Sequence, residues 1–539
     1  MFDLIIKNGM VIDGTGSERF SADIGIKNDR IYKIEGSIKE QAKKFINADG
    51  YIVCPGFIDI HGHSDFTLFT NNKGESKIRQ GITTEVLGNC GFTAGPSTDA
   101  HYGDLLQYLA NTIVLNDEQK QNWKWKSQID FLDYSSKDGL SFNIVPLVGH
   151  GTIRVAVMGF DKREPDDEEL LKMKALLEIE LQKGVYGLST GLEYEPGSYS
   201  NTEELIELCR VVKEYNGIYT THMKNEGKDV LKCIEEAIEI GRQSGVSVEI
   251  SHLKAQYKAN WGKVNKALDL IDNAFDEGID IGFDVYPYTA FGSGLLDLIP
   301  PWVKVGGPKK MIELLRDNDI KDKVIKDMQT ESEAWENPMT IEGWDKTIKI
   351  AMLKTEKNKK YEGLTINEIA KHMKCSPFEA VIYLMIEEEA SVKCIYFAMC
   401  EEDLEIIMKH PKAKFCTDGR AVATYGELSK GSVHPRYYGT YPKIMGLYVR
   451  EKKLMTLEEA IKKSTSMPAK TIRLKHRGEL KEGYFADITI FDKDKILDVN
   501  TFDDPHKYPI GIEYVVVNGK IVISKGDHTG ELPGIVLKN

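Results

Sequence analysis

Residues 57–65 read FIDIHGHSD, an alternating apolar run that ends in two histidines around one glycine. Residues i and i+2 of a strand point to the same side, so His61 and His63 can approach one ion together. The glycine between them leaves room for the backbone to bend. A strand that ends this way needs partners, and the rest of the chain offers them at the ends of similar runs.

Short apolar segments alternate with helical ones throughout the middle of the 539-residue chain. Strands are expected at 56–65, 81–90, 141–151, 184–192, 217–223, 246–254, 280–288 and 413–419. The stretch PDDEELLKMKALLEIELQKG opens with acidic residues, carries apolar residues at helical spacing and stops at Gly184. NTEELIELCRVVKEYNG behaves alike, with Asn201 or Thr202 as its cap. Eight strands with intervening helices predict an α/β chain built on a (β/α)8 TIM barrel. Residues 289–412 read as an insertion between strands seven and eight. At the two ends, apolar runs meet at Asn8-Gly9 and at Asn518-Gly519, both hairpin signals. They predict a small β-sandwich domain assembled from residues 1–54 and 467–539, with the barrel at 55–466 between them.

Composition narrows the function. The 41% hydrophobic and 28% charged residues are those of an ordinary globular protein, with no long apolar stretch for a membrane span. The N-terminus lacks the basic start and small-residue cleavage site of a secretory signal. A net charge of −13 argues against nucleic acid, though not against a small anionic substrate held by local positive charge. Eight irregularly spaced cysteines without a CxxC pair predict reduced thiols and a cytoplasmic location.

The polar residues at the strand ends are His61 and His63 after strand one and Cys90 after strand two. His222 and His252 follow strands five and six, and Asp418 follows strand eight. In a barrel these ends converge on one face. Imidazole, thiolate and carboxylate are the usual zinc ligands.

The segments CPGFIDIHGHSD, GITTEVLGNCG, VGHGTIR, GLSTGLEYEPG, THMKNEG, ISHLKA, DVYPY, TDG and HPRYYGTYPK resemble the amidohydrolase superfamily, specifically its N-acyl-D-amino-acid deacylase (D-aminoacylase) branch. The resemblance implies a tightly bound Zn2+ on Cys90, His222 and His252, and a second, weaker metal position at His61 and His63 with Asp418. The carboxylated lysine of most binuclear relatives is missing after strand four, in keeping with Cys90 as its replacement. Asp418 is the expected proton carrier between water and leaving amine.

Lys254 and Tyr286 match positions that grip the substrate's α-carboxylate, as against a solvated lysine and a packed tyrosine. Arg436 is a second carboxylate candidate, and His150 is either an oxyanion partner or structural. FGSGLLDLIPPW suggests a neutral or apolar side-chain pocket. The implied activity is zinc-dependent hydrolysis of small N-acyl-D-amino acids. A dipeptidase acting on a D-residue, with Glu193, Glu195 or Glu226 facing the free amine, stands beside it, as does a non-catalytic scaffold.

Overall fold

The computed structural model describes residues 1–110, 123, 125–333 and 335–539. The chain opens with β1 (Phe2–Val11), β2 (Phe20–Lys27), β3 (Arg30–Glu35), β4 (Ala42–Asn47) and β5 (Ile52–Pro55). The parallel strands follow: β6 (Phe57–Asp59), β7 (Ile82–Leu87), β8 (Asn143–Pro146) with its continuation β9 (Val148–Gly149), β10 (Gly187–Gly191), β11 (Ile218–His222), β12 (Ser247–Ile250) and β13 (Ile281–Val285). Next come β14 (Phe291–Gly294), β15 (Ile348–Met352), β16 (Lys393–Tyr396) and β17 (Ala413–Phe415). Near the C-terminus lie β18 (Ile488–Phe491), β19 (Ile512–Val517), β20 (Lys520–Ser524) and β21 (Asp527–His528).

The result is a mixed α/β fold. β6, β7 and β8 pair in parallel, and so do β9, β10, β11, β12, β13 and β17 in that order. Both faces of these strands are buried, which is why they read as apolar runs rather than alternating ones. Leu147, between β8 and β9, donates its N–H to Leu87 O at 2.8 Å. At the opposite edge, Gly62 beyond β6 bridges in parallel to Gly419 beyond β17, flanked by Asp418 N–H to His61 O and His63 N–H to Gly419 O, both 2.9 Å.

The intervening helices start and stop where the sequence punctuates them. Asp166 caps helix Asp167–Lys183 in a reciprocal capping box with Glu169, and Gly184 ends it at φ +109°. Asn201, not Thr202, caps helix Thr202–Glu214, accepting from Glu204 N–H.

Between β13 and β17, strands β14, β16 and β15 form a separate antiparallel sheet. It packs with helices Gly307–Leu315, Asn318–Met328, Ile366–Met373 and Pro377–Glu387 in one apolar cluster. Phe291 of β14 stacks on Tyr396 of β16 at 4.8 Å.

Residues from both ends of the chain share one nine-stranded sheet, in which β5 joins the N-terminal strands to β18. The two expected hairpins part company here. Asn518-Gly519 is a two-residue turn between β19 and β20, with Val517 opposite Lys520. Asn8-Gly9 is no turn: β1 runs through it, and the register against β2 slips between Ile6 and Gly9. Asn8 takes φ +59° as a bulge, and its N–H is held by Asp23 Oδ1 at 2.9 Å. The left-handed conformation that Asn-Gly favours serves a bulge as well as a turn, and the long-range partner Asp23 decides between them.

Candidate metal centre

Six side chains converge at the C-terminal ends of the parallel strands. Cys90 Sγ stands at their centre, 3.3 Å from His61 Nε2, 3.7 Å from His63 Nε2, 3.9 Å from His222 Nδ1 and 3.8 Å from His252 Nε2. His222 Nδ1 and His252 Nε2 are 3.1 Å apart. Asp418 Oδ1 closes the group, 3.2 Å from His63 Nε2 and 3.7 Å from His61 Nε2. Cys90, His252 and Asp418 carry φ values of +54°, +37° and +43°, a backbone conformation that costs L-residues energy and turns each side chain into the cluster.

The donors fit zinc. Tetrahedral Zn2+, with bonds of about 2.0–2.1 Å to nitrogen and about 2.3 Å to sulfur, sets its donors about 3.3–3.6 Å apart. The Cys90–His222–His252 edges of 3.9, 3.8 and 3.1 Å bracket that range. His61, His63 and Cys90 form a second triad, and His61, His252 and Asp418 a third.

Three of the four imidazoles have a carboxylate behind them. His252 Nδ1 meets Glu226 Oε1 at 2.9 Å, and His222 Nε2 meets Glu193 Oε2 at 2.9 Å. His61 Nδ1 faces Asp284 Oδ2 at 3.7 Å. Such carboxylates fix the ring and raise its basicity as a ligand. Burial pushes His63 and His252 down to about 4, leaving neutral rings with free lone pairs. It also pushes the Cys90 thiol up, so a cation at the cluster is what favours its thiolate. Burial would raise Asp418 too, but the Arg436 guanidinium, helped by His252 and His63, holds its carboxyl well below the usual range. Arg436 Nη1 lies 3.0 Å from Asp418 Oδ2.

The remaining expected residues divide. Tyr286 sits under the Arg436 guanidinium, 4.6 Å from the ring centroid, and its buried hydroxyl has no hydrogen-bond partner among the described residues. An orphan hydroxyl beside a cation is able to donate to a carboxylate. Lys254 is beside the cluster, yet its ammonium is engaged by Glu226 Oε2 at 2.6 Å and His252 Nδ1 at 2.8 Å. His150 is buried against Glu204, 2.7 Å from Nε2 to Oε1, and none of its described contacts reaches the cluster. Of the three amine partners offered for a dipeptidase, Glu193 is bound to His222 and Glu226 to His252 and Lys254, while Glu195 has no such contact with the cluster among the described residues.

Sequence reasoning passed over a polar core beneath the two histidines. Lys77 Nζ contacts Asp59 Oδ2 at 2.7 Å, Glu85 Oε1 at 2.9 Å, Thr417 Oγ1 at 2.6 Å and Gly419 O at 2.8 Å, all fully buried. Asp284 was also missed; besides His61 it accepts His252 N–H at 2.7 Å and Cys416 Sγ at 3.0 Å. A charged residue inside an apolar parallel strand, as in FIDIH, TTEVL and GFDVY, was the available signal.

The chain matches the amidohydrolase family over residues 44–302 and 432–523. It is 32% identical to a D-aminoacylase of Alcaligenes xylosoxydans xylosoxydans over 99% of this chain and 97% of that one. It is 33% identical to an N-acyl-D-glutamate deacylase of the same organism, covering 99% and 96%. Among solved structures, the N-acyl-D-glutamate deacylase of Bordetella bronchiseptica, complexed with zinc and a phosphonate mimic of the tetrahedral intermediate, superposes with a TM-score of 0.84 at 31% identity, covering all of both chains.

Proposed function

Since the chain belongs to the amidohydrolase family, we propose that it is a zinc-dependent hydrolase that cleaves N-acyl-D-amino acids into a D-amino acid and a carboxylate. The observation that carries this reading is the Cys90–His222–His252 triangle, whose edges suit tetrahedral zinc, with an ionised Asp418 beside it. We assign the tight metal to those three residues and a second, weaker position to His61, His63 and Asp418.

When bound, zinc supplies a hydroxide near neutral pH and a positive charge for the developing oxyanion. The other roles fall to the chain. Asp418, kept ionised by Arg436, takes the proton of the attacking water and returns it to the leaving amine. Glu193, Glu226 and Asp284 hold the imidazoles in register. Arg436 and the free hydroxyl of Tyr286 grip the α-carboxylate, with Lys254 reinforcing the same wall through Glu226. His150 we assign to the support of the helix it begins, through Glu204.

The eight parallel strands, joined through Leu147 and across Gly62–Gly419, support a closed (β/α)8 barrel over 55–466, with 289–412 inserted. The nine-stranded sheet supports a terminal β-sandwich domain from 1–54 and 467–539. Among the described residues no helix is long and apolar enough to cross a membrane. All eight cysteines are free, and we take the cytoplasm as the compartment.

Metal analysis of purified protein, paired with a screen of N-acetyl-D- and N-acetyl-L-amino acids, tests the proposal. Zinc at one or more per chain and D-selective release of acetate are expected. Metal-free protein that hydrolyses, or zinc-loaded protein that cleaves only L-substrates, would refute it.

A further inference from the structure

The two loops that carry His252 and the groups behind it are held from outside by the inserted segment. Glu226 belongs to the loop after β11, and His252, Lys254 and Gln256 to the loop after β12. The loops meet where Gln256 N–H donates to Glu226 O and Gln256 Nε2 donates to Glu226 Oε2, both at 2.8 Å. Lys254 Nζ shares that Oε2 at 2.6 Å, and Glu226 Oε1 is left for His252 Nδ1 at 2.9 Å. The aim of the imidazole therefore depends on how the two loops are set against each other.

Glu336, between helix Asn318–Met328 and β15, binds both of them. Its Oε2 accepts Asn225 Nδ2 and Lys228 N–H, each at 3.0 Å, on either side of Glu226 in the chain. Its Oε1 accepts Asn260 Nδ2 at 2.9 Å, and the same amide donates to Gln256 O at 2.7 Å. Asn225 Oδ1 in turn takes Gly227 N–H at 3.0 Å and Asp229 N–H at 2.8 Å. A Cβ on Gly227 would fall 2.0 Å from Glu336 Oε2, so the first loop lies against the carboxylate with no room for a side chain. The inserted segment grips the second loop again through Ala398 O, which accepts Tyr257 N–H at 2.7 Å and Trp261 Nε1 at 3.1 Å. Tyr257 takes φ +66° there, a costly conformation that persists only where the surroundings impose it.

We propose that Glu336 is a positioning residue for the metal ligand His252, acting through Asn260, Gln256 and Glu226. The proposal rests on the metal reading above and makes the inserted segment part of the support of the metal centre, although Glu336 itself touches no ligand. Groups behind a ligand fix the ring and tune its affinity for the ion, and their own partners decide how well they do so. An anchor for the insertion alone would need only the arm on Asn225 and Lys228; the arm on Asn260 reaches the loop of His252.

Glu336→Gln tests it while keeping size and shape. All three groups around the carboxylate donate to it, so an amide NH2 must face one of them. Asn260 cannot turn over to accept, because its Oδ1 already takes Lys263 Nζ at 2.7 Å and its Nδ2 serves Gln256. Zinc affinity, measured by chelator competition, should fall by about 10-fold, the lower end for groups behind a metal ligand. The visible bands of the cobalt-substituted protein, which follow ligand geometry, should shift. Asn260→Ala cuts the same link while leaving Glu336 on Asn225 and Lys228. It should reproduce both changes, and its result decides the question if Glu336→Gln does not fold. Wild-type zinc affinity with unshifted bands in a folded variant overturns the positioning role, even where the unfolding midpoint of metal-free protein drops, and leaves the metal reading standing. Wild-type protein that binds no zinc overturns both.

Discussion

The glycine between His61 and His63 can be tested by filling it. A Cβ on Gly62 would fall 2.0 Å from Glu85 Oε1 and 2.6 Å from its Cγ and Cδ. Glu85 cannot swing aside freely, because Lys77 Nζ holds Oε1 at 2.9 Å and Ser64 Oγ donates to it at 2.8 Å. Gly62→Ala must therefore break both contacts. At roughly 1.5–3 kcal/mol for a hydrogen bond to a charged group, the two together put the cost at about 3–6 kcal/mol. Urea unfolding of zinc-loaded and chelator-treated protein measures it, with the chelated sample separating the clash from any loss of metal. The decisive comparison is a double-mutant cycle with Glu85→Ala, which removes the obstructing side chain and the same two bonds. In that background Gly62→Ala should cost less than about 1 kcal/mol, a coupling nearly as large as the single-variant effect. Additivity within about 0.5 kcal/mol would refute the assignment of the clash to Glu85.

Four further outcomes are expected. Cys90→Ala should lose the tight zinc and the activity together, read by metal analysis; wild-type zinc content would remove the thiolate from the ligand set. Asp418→Asn should keep that zinc while turnover falls by at least about 100-fold, the lower range for a positioned acid or base; near-normal turnover would take Asp418 out of proton transfer. Tyr286→Phe should leave the unfolding midpoint unchanged, because the hydroxyl has no hydrogen-bond partner among the described residues, while KM rises for acylated amino acids and not for the matching amides. Glu180, buried and pushed up to about 8, stabilises the fold through its protonated form. Its contribution is complete below about pH 4.5 and is lost as pH rises through about 8. Glu180→Gln should flatten that decline in unfolding free energy, and an unchanged pH profile would refute the burial argument.

Much of this architecture is legible in sequence because it repeats a local pattern. Each buried parallel strand is an apolar run, and each proposed ligand ends such a strand or follows it within four residues, so Cys90, His222 and His252 stand out without any long-range information. The Asn518-Gly519 turn is legible for the same reason. What escapes is whatever depends on a distant partner. Asn8-Gly9 becomes a bulge through Asp23. Lys77 reads as a surface lysine until Asp59 and Glu85, from two other strands, enclose it. Lys254 is marked in sequence by its match to a carboxylate-gripping position, but Glu226 at 2.6 Å from its ammonium becomes visible only in the fold.

The first and last parallel strands meet along a narrow seam, the Gly62–Gly419 bridge with its two flanking hydrogen bonds, supported by Asp59 Oδ1 accepting Thr417 N–H across a sequence separation of 358 residues. A closure spanning that much chain carries a large but only logarithmically growing entropic cost, and contacts of such high sequence separation form late in folding. The proposed ligands straddle this seam: His61 and His63 lie on one side and Asp418 on the other. An ion held by both sides would act as a clasp across that seam. In chelator-treated protein the amides of His63 and Asp418 should become the first among the parallel strands to exchange with deuterated solvent, and restoring zinc should slow them selectively.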